Sequence, residues 1–372
     1  MANEMLTRPS ANESLRDVAS RSTEKASEFN VAAHGLRGLA SILVLAAHIL
    51  GGTARHIYPA NESYVQAIEA PWFLGVFGVK LFFVISGYVI LPSALRYSIP
   101  EFAKRRFLRI YPLFFVATLI FIALNSFTNE YPGLNNIKSI VSGLLFINLF
   151  TGTEQLTPNA WSLSYEVMFY VLTCWVVYAS VKRPSAIGAT LAWAACLVFL
   201  AIFPISIFFV AGALIRIFES RLAINTVSLR ILEVLLLFAA GYSASRGLFD
   251  YALYDFADPA ALGALVFTVA YFYLAVDPRS LTSLLLHNPF SNYMGAISYS
   301  LYLVHPYSYY IVRWIFVKLH LFTVDVWFSI ATFGAVVFVS SVALSHIAHV
   351  FLERLPYTWY FHQRVYRANI VE

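Results

Sequence analysis

Arg37 and His48 stand eleven residues apart in an otherwise apolar stretch, Arg37-Gly38-Leu39-Ala40-Ser41-Ile42-Leu43-Val44-Leu45-Ala46-Ala47-His48. On an α-helix the rise of ~1.5 Å per residue puts them about 16 Å apart along the axis. A turn of ~100° per residue brings them back to within about 20° of one another, on one face. A guanidinium holds anions in a fixed fork, and an imidazole moves protons near neutrality. One face carrying both has the parts to grip a charged donor at one level and act as general base at another. Each also has a plainer explanation: an arginine reaching back to the interface, and a histidine bonded to a neighbour. The shared face weakens that explanation for the pair.

Other polar groups interrupt apolar runs. Arg106 and Arg109 are helix neighbours in Lys104-Arg105-Arg106-Phe107-Leu108-Arg109-Ile110-Tyr111-Pro112, and arginine forks suit phosphate. A basic cluster at a helix end is equally what membrane orientation requires. Glu166, in Trp161-Ser162-Leu163-Ser164-Tyr165-Glu166, is expected about one turn into the bilayer from the outer side. It is read there either as partner to a histidine of another helix or as part of a helix start favoured by the dipole. His305 lies mid-run in Ser300-Leu301-Tyr302-Leu303-Val304-His305-Pro306; Ser300, Tyr302 and His305 are also the groups that would re-satisfy the carbonyl freed by Pro306. Lys80 is a lone base in its run and is expected to pair with a carboxylate or reach the outer interface. Asn61-Glu62-Ser63 matches a glycosylation acceptor, a match too short to weigh.

The elements that must position these groups are set by composition. The 372 residues are 59% apolar, 12% charged and 17% aromatic, whereas soluble domains carry roughly 25% charged residues. A chain this apolar needs lipid as its solvent. Runs of about the ~20 residues that span a bilayer fall at 33–50, 72–93, 110–126, 163–181, 186–203, 205–219, 231–247, 260–276, 293–317 and 325–350. The fold class expected is all-α: a polytopic membrane bundle of about ten helices. Residues 139–151 are apolar but short and are expected to re-enter without crossing. With the N-terminus inside, the outer segments hold only Arg55, Lys138, Arg246 and Lys318, and Arg37, Lys80 and Arg313 lie in or at the edge of spans; every other Lys and Arg is inside. That asymmetry places both termini in the cytoplasm of a multi-pass cell (inner) membrane protein. Letting 139–151 cross would invert everything after it and strand the basic C-terminus outside.

The expected organisation is a polar tail over 1–30 that is no signal peptide, a transmembrane domain over 31–355 and a short tail over 356–372. No repeat is evident. The net charge of +5 is scattered between apolar runs and excludes a nucleic-acid surface. Cys174 and Cys196 sit in apolar stretches and imply neither disulfides nor a metal site.

Taken in order, Arg37 with His48, Phe82-Phe83-Val84-Ile85-Ser86-Gly87, Arg106-x-x-Arg109 with Tyr111-Pro112, Trp161-Ser162-Leu163 with Glu166, and Ser300-Leu301-Tyr302-Leu303-Val304-His305 resemble acyltransferase family 3. These are polytopic membrane acyltransferases that modify carbohydrates and related acceptors. The resemblance runs from residue 35 to about 306. It implies transfer of an acyl group, most often acetyl, from cytosolic acyl-CoA to an acceptor hydroxyl, with no bound cofactor and no metal. It makes Arg37, His48, Arg106 and Arg109 essential. Lys80 stands where relatives often carry an acidic residue, so it is given no role.

Acyl-CoA carries phosphates at one end and a thioester at the other. Arg37, Arg106 and Arg109 are therefore expected to bind it at the inner edge, with His48 as general base at about the reach of the pantetheine arm. Glu166 is expected to orient the imidazole, as a carboxylate does in hydrolase triads, and His305 and Ser300 to line the acceptor path. A covalent acyl-enzyme stays open, as does the oligomeric state, and the acceptor fits a surface polysaccharide, a lipid-linked glycan, a lipo-oligosaccharide or other glycolipid, or a secondary metabolite. The competing class is a transporter of a glycan or acyl group, since intramembrane Arg, His and Glu also mark transport paths.

Overall fold

The computed structural model describes residues 29–157, 159–219 and 222–361. The N-terminal tail before residue 29, Arg221 and the chain beyond Phe361 lie outside the described residues. The described residues are helical, without a strand. In chain order the helices are α1 Val31–His56, α2 Glu62–Arg96, α3 Ile99–Thr128, α4 Ile137–Leu144, α5 Asn148–Thr151, α6 Trp161–Val177, α7 Ala186–Ile202, α8 Ile207–Phe218, α9 Thr226–Ala244, α10 Pro259–Ala275, α11 Leu281–Leu286, α12 Pro289–Lys318, α13 Val326–Ala348 and α14 Leu355–Phe361. Starts are written in short polar residues that take up the free amides of the first turn. Asn30 accepts from Ala33 N, Asn225 from Ser228 N and Asn288 from Ser291 N. Asn61 does the same for Tyr64 N, which gives that asparagine a structural purpose.

Every apolar run read from the sequence lies on a helix. Six are long and apolar enough to cross a membrane unaided: α1, α2, α3, α6 with its π turn Tyr178–Lys182, α9, and α13 continued through α14. The α7–α8 pair qualifies only as a unit bent by 119°, at the Phe203-Pro204 step. Helix α10 is apolar but has 17 residues. Helix α12 is long, 30 residues, yet is not among the six. The reason is its polarity: Ser298, Ser300, His305 and Ser308 are buried against protein rather than lipid.

Helix α1 lies between α2 and α12. A Cβ on Gly38 would meet Gly295 N at 2.8 Å, and ten residues further along both helices the rings of His48 and His305 touch. Equal spacing on both makes α1 and α12 parallel neighbours in register. On its other side α2 backs onto α8. A Cβ on Gly87 would sit 2.0 Å from Phe209 O, and one on Gly212 1.9 Å from Val84 O. Lipid gives no hydrophobic gain for helix association, so backbones this close are how small residues hold such a bundle together.

Connections expected on the inner side are tied to one another. Lys182 donates to Tyr97 O, Arg105 to the Tyr357 hydroxyl at 2.7 Å, and Arg230 to Arg279 O at 3.1 Å. Asn30 reaches both Tyr88 and Val276 O, and Arg216 and Glu219 converge on the same Tyr88 hydroxyl. The first residues of the expected C-terminal tail continue the last helix, and Phe361 stacks under the Arg105 guanidinium at 4.3 Å.

The 139–151 run is broken into α4 and α5, of 8 and 4 residues, far short of the ~20 needed to cross. It enters from the end of α3, where Asn125 bonds Asn135 at 2.7 Å. It descends until Phe146 stacks on Phe114 at 4.4 Å, eleven residues back along α3 from Asn125, or about 16 Å by helix rise. Buried polar groups hold it at that depth: Gln155 donates to Gly143 O at 3.2 Å, and Ser164 to Asn148 at 2.7 Å.

Candidate functional site

The face of α1 that carries Arg37 and His48 looks into the protein. Leu39 and Ala46, both exposed, mark its lipid side. His48 follows Leu39 by nine residues, placing it about 180° round the helix from that stripe. His48 is nonetheless exposed, with its ring against His305 of α12.

At the Arg37 end of this face is a charged chamber. Arg37 from α1, Arg106 and Arg109 from α3, Ser86 from α2, and Glu166 and Tyr170 from α6 line a single small cavity. Glu166 accepts from Ser86 at 2.9 Å and from the Tyr170 hydroxyl. Arg106 donates to Ser93 at 2.8 Å and stacks on Phe102 and Tyr170. The free volume is about 20 Å³, room for about one water and no more. A phosphate therefore enters only if the arginines move apart.

At the other end is a histidine pair. The rings of His48 and His305 lie 4.8 Å apart, edge to face. Each Nδ1 faces a backbone carbonyl one turn back, His48 toward Val44 O and His305 toward Leu301 O, both at 2.8 Å. A carbonyl only accepts, so both Nδ1 atoms carry a proton, and in the neutral ring Nε2 is the nitrogen with the lone pair. His305 is fully buried, and its Nε2 has no partner among the described residues. The two imidazoles thus meet ring to ring, each tied through Nδ1 to its own helix.

Tyr302 separates the two stations. It lies about one turn from His305, on the Arg37 side by register, with its ring 5.5 Å from Phe82 of α2. Its hydroxyl donates to Asn159 O at 2.5 Å and lies 2.9 Å from Ser162 Oγ. Asn159 returns a bond to Tyr302 O. The N-terminal end of α6 is thereby latched to the middle of α12.

The sequence-derived residues thus divide. Arg37, Arg106 and Arg109 come together, and so do His48 and His305. Glu166 does not join His48: it hydrogen-bonds Ser86 and Tyr170 beside the arginines. The physical reason is depth. The re-entrant segment delivers the chain to α6 already inside the bundle, so a residue near the start of α6 lies well below the outer surface. Ser300 donates to the fully buried Glu353. Lys80 is 3% exposed and makes no hydrogen bond or ion pair among the described residues; Asp250 and Asp255 of the loop before α10 face it through space. No group of three or more metal-ligating side chains occurs among the described residues.

Sequence reading passed over Tyr170, Asn159 and Glu353, and gave Tyr302 only a part in satisfying the backbone near Pro306. Tyr170 follows Glu166 at helix spacing, which was a legible signal. Glu353 had none, because it lies beyond the last apolar run, 325–350, where the helix continues through a π turn, His349–Arg354. There it sits 3.4 Å from His349 and within electrostatic reach of Arg109.

Comparison with known proteins bears on this geometry. A family model described as an acyltransferase domain matches residues 30–346. Acyltransferase MdmB of Streptomyces mycarofaciens is 33% identical over 147 residues, 37% of this chain and 36% of that protein. Exopolysaccharide production protein ExoZ of Rhizobium meliloti (strain 1021) is 28% identical over 106 residues, 27% of this chain and 33% of that protein. The chain therefore spans about a third of the length of the curated relatives it matches. No solved structure matches it.

Proposed function

The chain belongs to acyltransferase family 3, and from that membership we propose that it is a membrane O-acyltransferase that moves an acyl group, acetyl by preference, from acyl-CoA to a hydroxyl of a carbohydrate-type acceptor. The observation that carries this reading is a pair of stations along α1: Arg37 gathered with Arg106 and Arg109 of α3 at one level, and His48 meeting His305 of α12 about 16 Å further along by helix rise.

The basic connections tied together at the Arg37 end fit a cytoplasmic side, with both termini there and about ten spans in an inner membrane. Acyl-CoA comes from that side. Its phosphates enter among Arg37, Arg106 and Arg109, beside Glu166 and Tyr170, and the three forks suit phosphate oxygens. The narrow pantetheine arm passes Tyr302 and brings the thioester carbonyl to His48. Nε2 of His48 takes the proton of the acceptor hydroxyl, and that oxygen attacks the carbonyl carbon. The C–S bond breaks, and the imidazolium returns the proton to the departing thiolate. Val44 O holds the Nδ1 proton throughout and so fixes the reactive tautomer. His305 stands beside the acceptor path; Ser300, turned to Glu353, supports α12 from behind.

A relative named for exopolysaccharide production supports a surface polysaccharide or glycolipid acceptor. The test is transfer of labelled acetyl from acetyl-CoA to glycan in membranes containing the protein. Incorporation that requires both His48 and acetyl-CoA supports the reading; movement of an unmodified solute without acyl transfer would replace it with a transporter.

A further inference from the structure

Between α3 and α6 a second, larger cavity of about 510 Å³ opens sideways, in the size range that buries a small ligand. Its walls are apolar and largely aromatic: Phe102, Phe107, Tyr111, Phe146, Val171 and Trp175. Phe107 and Val171 are each 54% exposed and Trp175 41%, so the groove faces the hydrocarbon of the bilayer. Its inner end is not apolar. Arg106 and Tyr170 line this groove and the arginine chamber alike. Arg106 has a fully buried Nε without a hydrogen-bond partner, while its Nη2 is used by Ser93.

An apolar wall alone would admit any lipid chain. A guanidinium with an unused buried donor at the end of that wall selects for negative charge, and its fork suits a phosphate. We propose that this groove is a binding site for an anionic glycerophospholipid, one acyl chain lying along Phe107, Tyr111 and Val171 with the head-group phosphate on Arg106. The site is distinct from the histidine pair and does not rest on the acyl-transfer reading. Because Arg106 belongs to both cavities, it gives bilayer composition a direct route to the arginine chamber.

The test uses the full chain purified in a neutral detergent and titrated with dibrominated phosphatidylglycerol or dibrominated phosphatidylcholine. Bromine quenches nearby tryptophan, and subtracting a Trp175→Phe variant isolates the groove signal. Quenching of Trp175 is expected at an about tenfold lower mole fraction of the anionic lipid, as a charge-assisted contact implies. Arg106→Gln should reduce that preference to less than about twofold, and Arg106→Lys should retain part of it. Val171→Phe, which fills the groove, should weaken quenching by both lipids. Equal quenching by the two lipids in the unmodified protein would overturn the proposal without recourse to any variant, leaving only ordinary annular lipid. A preference that survives Arg106→Gln would overturn it as well.

Discussion

The arginine chamber and the histidine pair are built from the same helix yet satisfy their polarity in opposite ways. In the chamber, each charge is met by side-chain hydroxyls: Glu166 takes Ser86 and Tyr170, Arg106 takes Ser93, and the space left holds about one water. At the histidine pair each ring is tied through Nδ1 to its own helix backbone. Buried charges without partners are very costly, whereas a neutral imidazole lacking one bond costs far less. Under the proposed function, the first region is the one that must rearrange to admit an anion, and the second the one that can stay in place while acting as general base.

That contrast can be broken by variants. The largest effect belongs to His48→Ala: labelled-acetyl transfer in membranes should fall by about 10²–10⁴-fold, the usual worth of a general base, with acyl-CoA affinity nearly unchanged. Next, Arg37→Gln or Arg109→Gln should raise the KM for acyl-CoA by about ten- to a hundredfold, corresponding to the ~1.5–3 kcal/mol of a charge-assisted hydrogen bond, with a smaller loss in kcat. Glu166→Gln sharpens the comparison further. If Glu166 served His48, kcat would fall by orders of magnitude; as a resident counter-charge of the arginines, its removal should tighten acyl-CoA binding, by about two- to tenfold for one lost competing interaction. The smallest effect is expected of Tyr302→Phe, which loses the bonds to Asn159 and Ser162. It should lower stability in detergent by about 1 kcal/mol, read as a modest fall in thermal midpoint.

Much of this was legible in the sequence. Apolar runs marked every long helix, the distribution of Lys and Arg kept 139–151 from being read as a crossing, and helical spacing put Arg37 and His48 on one face. Depth across the bundle was not legible. Glu166 was placed by counting from an assumed outer surface, but α6 starts below it because Asn148, Gln155 and Ser164 pin the preceding segment inside. Hydropathy could not show that α12 is surrounded by protein, since its serines and His305 lower the very signal that marks a span. The contribution of Glu353 depends on a helix continuing through a π turn past the apolar run, which no periodicity reveals.

The central claim is that phosphates bind at the arginines while chemistry occurs at His48. It is tested most directly by the affinity of the purified protein for CoA and for pantetheine, which lacks the nucleotide and its phosphates. The account predicts that Arg109→Gln weakens CoA by at least about tenfold and leaves pantetheine unchanged, while His48→Ala changes neither. An equal loss for both ligands in Arg109→Gln, or loss of CoA binding in His48→Ala, would contradict it.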